Sequence, residues 1–158
     1  MAISPLQLSY SVFDLVHVEA LTAYEWGEEA EPEPEVDVRV ARSPEDDDEG
    51  WAVWVTIQIA REAKPTPPYA VTLSVFGTFE ISRDFGSEDE ITQVVAVNGA
   101  SMLYSAAREF LLGLTARGPN MEYMLPSYDF RHHTFQVLEP DQVGQAGAST
   151  SHEIAEDV

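Results

Sequence analysis

Met102-Leu103-Tyr104-Ser105-Ala106-Ala107-Arg108-Glu109, followed by Ala116-Arg117-Gly118 and then Leu125-Pro126-Ser127-Tyr128-Asp129-Phe130, is the stretch that decides the fold. It reads as one amphipathic helix, a glycine stop and an extended apolar return. Met102, Leu103, Ala106, Phe110, Leu111 and Leu114 recur at helical spacing and make one apolar stripe, the face a helix lays on a core. Arg117 falls in the last turn, where a cation suits the carbonyl end of the helix dipole. Gly118 is placed to take the left-handed conformation that ends helices, and Pro119 cannot continue one.

Upstream the period is two. From Leu6 to Val18, Leu6, Leu8, Tyr10, Val12, Val16 and Val18 alternate with mostly polar residues. Phe13 and Leu15 break the alternation, which implies burial on both faces or a bulge near Phe13. Val36, Val38 and Val40 give a second strand. Trp51, Val53, Val55, Ile57 and Ile59 form one face of a third, with Trp54, Thr56 and Gln58 on the other. Tyr69, Val71, Leu73, Val75, Phe79 and Ile81 line one face of a fourth.

Turn chemistry separates these runs. Pro32 and Pro34 forbid helix and central strand in the Glu/Pro segment 27–35. Residues 44–50, with Glu45-Asp46-Asp47-Asp48-Glu49, read as a solvated hairpin connection, and Pro65, Pro67 and Pro68 mark the next link. All three links are short enough for antiparallel neighbours. Ser87 and Glu90 spell a capping box for a short helix through Ile91, Val94 and Val95, which Asn98-Gly99 should interrupt before the long helix. Four strands, a short helix and a long helix predict an α+β domain: a four-stranded antiparallel sheet with both helices on one face. Apolar residues on both faces of the third strand imply that something covers the second face, and oligomerisation is the economical answer. The domain is expected over residues 1–140, with a flexible polar tail over 141–158.

Composition narrows the function. At 158 residues one domain can bury a core without staples, and with no cysteine there are no disulfides or thiolate metal sites. The start lacks the basic and apolar regions of a signal peptide, and no run approaches the roughly 20 apolar residues of a spanning helix. A cytoplasmic protein with no membrane insertion is the expectation. The net charge of -20 would repel a phosphate backbone, so no nucleic acid is expected as a partner. Such acidity serves solubility, or a basic partner, or the need to stay soluble while holding something sticky.

No constellation demands catalysis. His132 and His133 are adjacent and so diverge, and Asp46-Asp47-Asp48 lacks the spacing of a calcium loop. There is no phosphate cradle and no nucleophile elbow, so neither cofactor, metal nor enzymatic activity is expected. The aromatic and methionine residues are more informative. Tyr24 and Trp26 follow the first strand, and Met121, Tyr123 and Met124 lie in the return after the long helix. Together such residues make adaptable apolar surface for varied sequences, against the alternative of ordinary core packing.

The apolar-apolar-aromatic triplet, the Ala-Arg-Glu, the Arg-Gly stop and the apolar-Pro-x-x-x-Phe return resemble the SecB family of protein-export chaperones. Gly77-Thr78-Phe79-Glu80-Ile81 looks like that family's strand before the first helix, and Val16-His17-Val18-Glu19-Ala20 like its apolar-Glu-Ala segment. The resemblance covers roughly Leu6 to Phe130. It implies a cytosolic, ATP-independent holdase, a homotetramer built as a dimer of dimers, which binds unfolded polypeptides (preproteins) in apolar grooves and keeps them translocation-competent. Client contact is then expected at Val18, Trp26, Trp54, Phe76, Met102, Tyr104, Tyr123 and Met124, with Trp54 and Phe76 alternatively at a subunit interface.

Two departures stand out. A surface for the motor SecA is implied at Asp14 and Glu19, but the companion acidic position on the fourth strand holds Thr72, and another falls near Leu15. After Phe130 the family's C-terminal helix is replaced by a short segment stopped at Pro140. SecB-like chaperones dedicated to an antitoxin are the second reading. An acidic protein that binds or mimics toward a folded basic partner is a third, of another class.

Overall fold

Alternating apolar residues build four long strands, and their pairing sets the architecture. The computed structural model describes residues 3–27, 32–43 and 50–146. Strand β1 is Leu6–Ala20, β2 Glu35–Arg42, β3 Gly50–Ile59, β4 Tyr69–Ile81 and β5 Gln136–Val137. They form one sheet in the order β1-β4-β3-β2-β5. The first four pair antiparallel, while β5 joins β2 in parallel. The sheet is therefore mixed and five-stranded rather than four-stranded and antiparallel. Two residues carry no readable period, so β5 is invisible to pattern.

Nor are β1 and β2 neighbours, as link length suggested. β1 lies on β4 along its whole length, from Leu6 opposite Ile81 to Ala20 opposite Tyr69, so β4 and β3 lie between β1 and β2. Apolar matching over a long ladder outweighs the small entropic cost of a longer loop. Register shifts between Leu8 and Tyr10 and between Phe13 and Leu15 mark irregularities in β1, the second where the alternation breaks. The acidic connection 44–49, part of the Glu/Pro segment (28–31) and the tail 147–158 lie outside the described residues.

Helix α1, Glu88–Val94, opens on the expected capping box. The Ser87 hydroxyl accepts from the Glu90 amide, and the Glu90 carboxylate accepts from the Ser87 amide at 2.8 Å. Asn98-Gly99 does not interrupt the helical path. A π-helical turn, Val95–Gly99, runs directly into α2, Ala100–Thr115, and Gly99 has helical φ and ψ of −62° and −48°. The missing side chain lets the turn press against Val53 and Phe79. Gly77 does the same in β4, where a Cβ would meet the Leu103 side chain at 2.8 Å.

The core lies between the helices and one sheet face. Val40, Val53, Val55, Ile57, Leu73 and Phe79 from the sheet meet Val95, Ala100, Leu103, Ala107 and Leu111. Tyr123, Leu125 and Phe130 of the return segment complete it. On the second face Ala41, Ala52 and Trp54 form a smaller cluster under Leu138 and Val143. This chain's own C-terminal segment covers that end of the sheet. A short 3-10 turn spans Phe130–His132 and a last helix, α3, spans Val143–Ala146.

Candidate polypeptide-binding groove

The long helix carries more apolar surface than its core contact uses. Ala100, Leu103, Tyr104, Ala107, Leu111 and Thr115 are buried, whereas Met102, Phe110 and Leu114 are exposed. The single stripe expected from spacing is thus two. One half packs on the sheet, and the other leaves an apolar flank beside it. Phe110 meets β1 directly, its ring 4.4 Å from that of Phe13.

β1 supplies the opposite side. Cross-strand partners share a face, so Leu8 (opposite Phe79), Phe13 (opposite Val75) and Val16 (opposite Leu73) point to the helical side. Leu8 is 43% exposed, Val16 45% and Leu114 43%. α2 packs over β3 and β4 and leaves most of β1 uncovered. The result is an apolar groove with β1 as floor and Phe110 and Leu114 as one wall. β1 is also the free edge of the sheet, so its unpaired backbone groups lie along the same track. The surface thus combines apolar side chains with free strand-type hydrogen-bonding groups, the two features that suit an extended chain. Tyr10 and Val12, exposed on β1 toward the other face, extend the apolar edge around the sheet.

The expected client-contact residues divide. Trp26, at 64% exposure, stands beside Tyr24 after β1, and Met102 and Met124 are also exposed. Val18 and Phe76 are half-buried, each packed against a core cluster. Trp54, Tyr104 and Tyr123 are buried in the single chain. Tyr104 holds the return segment in place, because its hydroxyl donates to the Pro126 carbonyl at 2.8 Å, and burial pushes its phenol up to about 12. Arg108 Nε donates to the Leu125 carbonyl at 2.8 Å, and Thr115 Oγ1 accepts from the Tyr123 amide at 2.8 Å. Tyr104, Arg108 and Thr115 follow one another at one-turn and two-turn spacing, so one column of side chains clamps the extended return. The tyrosine and arginine of the helix motif hold backbone.

Leu8, Val16, Phe110 and Leu114 were not among the expected contacts. Their signal was present: the apolar positions of α2 span more of the helix than one packed face needs, and β1 is apolar on both sides. A hollow of about 400 Å³ on the other flank of α2, lined by Ser105, Arg108, Leu112 and Met124, adds a small apolar recess.

Glu19 is ion-paired with Arg61 and lies 3.8 Å from His17. Asp14 is exposed at the β1 irregularity. The Asp129 carboxyl is held well below the usual carboxylate range, chiefly by its hydrogen bond from the Arg131 side chain. Among the described residues no three His, Asp or Glu side chains gather as metal ligands, and no helix is long and apolar enough to cross a membrane.

The chain matches the family model described as preprotein translocase subunit SecB over residues 12–137. None of the curated proteins matches it. Among solved structures, one similar in fold is the Mycobacterium tuberculosis SecB-like chaperone in complex with a ChAD peptide from the HigA1 antitoxin. The two share 19% identity over 78% of this chain and 91% of that one, with a TM-score of 0.57. Another is a protein of unknown function from Streptococcus agalactiae, 14% identical over 78% of this chain and 97% of that one, with a TM-score of 0.52. With the match spanning most of its length, including the β1 edge and the α2 clamp, this chain belongs to the SecB family.

Proposed function

We propose that this chain is an ATP-independent cytosolic holdase that keeps unfolded polypeptides from aggregating by holding them in the groove between β1 and α2. The observation that carries this reading is the row of exposed apolar side chains, Leu8, Val16, Phe110 and Leu114, along the free edge. Exposed apolar surface of this extent beside a free strand edge marks an interaction surface. Met102, Met124 and Trp26 flank it as adaptable contacts. The charge of -20 keeps the loaded complex soluble and favours basic stretches of client. A homotetramer built as a dimer of dimers is part of the proposal, supported by membership of the SecB family.

The export reading has preproteins as clients and a SecA-type motor at Asp14 and Glu19. A second reading makes the client a dedicated antitoxin segment. It is supported by the Glu19–Arg61 pair and by Thr72 opposite His17, which put an ion pair and a neutral residue where the export reading calls for free carboxylates. A folded basic partner would need no apolar track.

The test is suppression of aggregation when a denatured, aggregation-prone reporter is diluted from denaturant, without ATP, at low and high salt. Suppression at stoichiometric ratios in both salts is expected. No suppression, or suppression abolished by salt, overturns the general holdase. A labelled preprotein segment and a labelled antitoxin C-terminal segment, titrated side by side, then separate the two client classes.

A further inference from the structure

Sulfur enters this chain only as methionine, since there is no cysteine. None of the described methionines sits in the core: Met102 is 37% exposed, Met121 48% and Met124 50%. Met124 differs from the other two in its surroundings. Tyr123 and Leu125 on either side of it are buried and tied to α2, the Tyr123 amide by donating to Thr115 Oγ1 and the Leu125 carbonyl by accepting from Arg108 Nε, both at 2.8 Å. In an extended segment held this way the side chain between them turns outward. Met124 accordingly lines the hollow of about 400 Å³ on the outer flank of α2, with Ser105, Arg108, Glu109 and Leu112.

Arg108 is half-buried there. Its Nε is engaged by Leu125, and among the described residues its terminal nitrogens meet neither a carboxylate nor another hydrogen-bond acceptor. The Ser105 hydroxyl is already turned to the Ser101 carbonyl, at 2.8 Å. The hollow thus brings together an arginine with donors to spare and an oxidisable sulfur. The exposed Glu109 and the net charge of -20 disfavour an anion in it. A neutral, strongly accepting oxygen suits it, and a sulfoxide carries one.

We propose that Met124 is a modification site for hydrogen peroxide and that Arg108 holds the sulfoxide formed there. The thioether sulfur attacks one peroxide oxygen, the O–O bond breaks, and the departing hydroxide takes the proton of the transferred oxygen to leave as water. Sulfur is oxidised by two electrons and the peroxide is reduced. The guanidinium stabilises the charge on the departing hydroxide and then donates to the sulfoxide oxygen. One arginine then bridges Leu125 through Nε and Met124 through a terminal nitrogen, and the apolar recess becomes polar. The consequence for clients rests on the holdase reading. The modification and its capture do not.

Met121 is the internal control, because its exposure nearly equals that of Met124. Cleavage after Glu122 separates the two for mass spectrometry. Under dilute hydrogen peroxide, Met124 should oxidise about threefold faster than Met121 in the wild type and no faster in Arg108→Lys. In 15N-labelled protein, oxidation should move the Arg108 Nε–H signal, and methionine sulfoxide reductases should return it. Met124→Leu, which keeps Met102 and Met121, should show no such shift. Met124→Gln, with a neutral carbonyl in place of the sulfoxide oxygen, should place the signal near its oxidised position without oxidant. On the holdase reading, oxidised wild type should bind a reduced, carboxymethylated polypeptide about threefold more weakly, and Met124→Leu should not respond. A moved signal with unchanged client affinity upholds the site and removes its link to the holdase. Equal oxidation of Met121 and Met124, with an Arg108 signal that peroxide leaves in place, overturns the proposal even if Arg108→Lys fails to fold.

Discussion

Tyr69 shows how one side chain decides a local path. Its hydroxyl donates to the Met121 carbonyl at 2.9 Å and accepts from the Asn120 amide at 3.1 Å. The Asn120 side chain in turn donates to the Leu21 and Pro68 carbonyls, both at 2.8 Å. Gly118 is required by this network rather than by a left-handed cap. A Cβ there would lie 2.2 Å from the Tyr69 hydroxyl, whereas the positive φ of this loop, 72°, belongs to Met121. Gly118→Ala should therefore cost about 2–3 kcal/mol. Gly113→Ala, with nothing within 4 Å of the added carbon, should instead stabilise α2 by up to about 1 kcal/mol. Thermal melts of the two variants should shift in opposite directions. Tyr104→Phe removes the donor to Pro126 and should cost about 1–2 kcal/mol. The Tyr104 phenol is raised from 10.0 to about 12, so its contribution is complete below pH 10 and is lost as pH rises toward 12. Alkaline unfolding of the wild type should be steeper than that of Tyr104→Phe.

At the scale of elements, α1 and α2 differ in what holds them. α1 is short and polar, with Ile91 its one buried residue, so its start depends on the capping box. Ser87→Ala should cost about 1 kcal/mol, measured by chemical denaturation. The hydrogen bond from the Ser87 amide lowers the Glu90 carboxyl below its ordinary 4.5. The resulting stabilisation is present above pH 4.5 and disappears as pH falls through the folded value. Stability of Glu90→Gln should consequently fall less steeply than wild type between about pH 6 and 3. The capping box was legible because its two residues lie three apart in sequence. The continuity of α1, the π turn and α2 was not, because Asn98-Gly99 is a turn signal until Val53 and Phe79 press on it. The division of α2 into a packed and an open flank also escaped local reading. Spacing reports that Phe110 and Leu114 are apolar, and only the position of β1 reports that they stay uncovered.

For the whole molecule, the β1 edge of the sheet carries the functional argument. Val16→Glu and Leu114→Glu place charges in the β1 groove at exposed positions, so melting temperatures should stay near wild type. Binding of an unfolded polypeptide should weaken by about tenfold in each, read by fluorescence anisotropy. Trp26→Ser should leave the melt unchanged as well, whereas Tyr123→Ser, at a core position, should lower it markedly. An unchanged affinity in both groove variants would move the binding track elsewhere on the molecule.

By itself the sequence determined the four long strands, the break in β1 near Phe13, the capped short helix, the long amphipathic helix and the family they resemble. Each is a local period or a fixed short spacing, and hydrophobic alternation is written residue by residue. Tertiary structure alone decided that β1 lies on β4, that Gln136 and Val137 add a parallel strand, and that Leu138 and Val143 cover Trp54. It also decided that Tyr104 and Tyr123 are buried while Val16 and Leu114 are open. Whether an apolar residue is core or groove depends on which distant segment lies over it, and no local pattern carries that information.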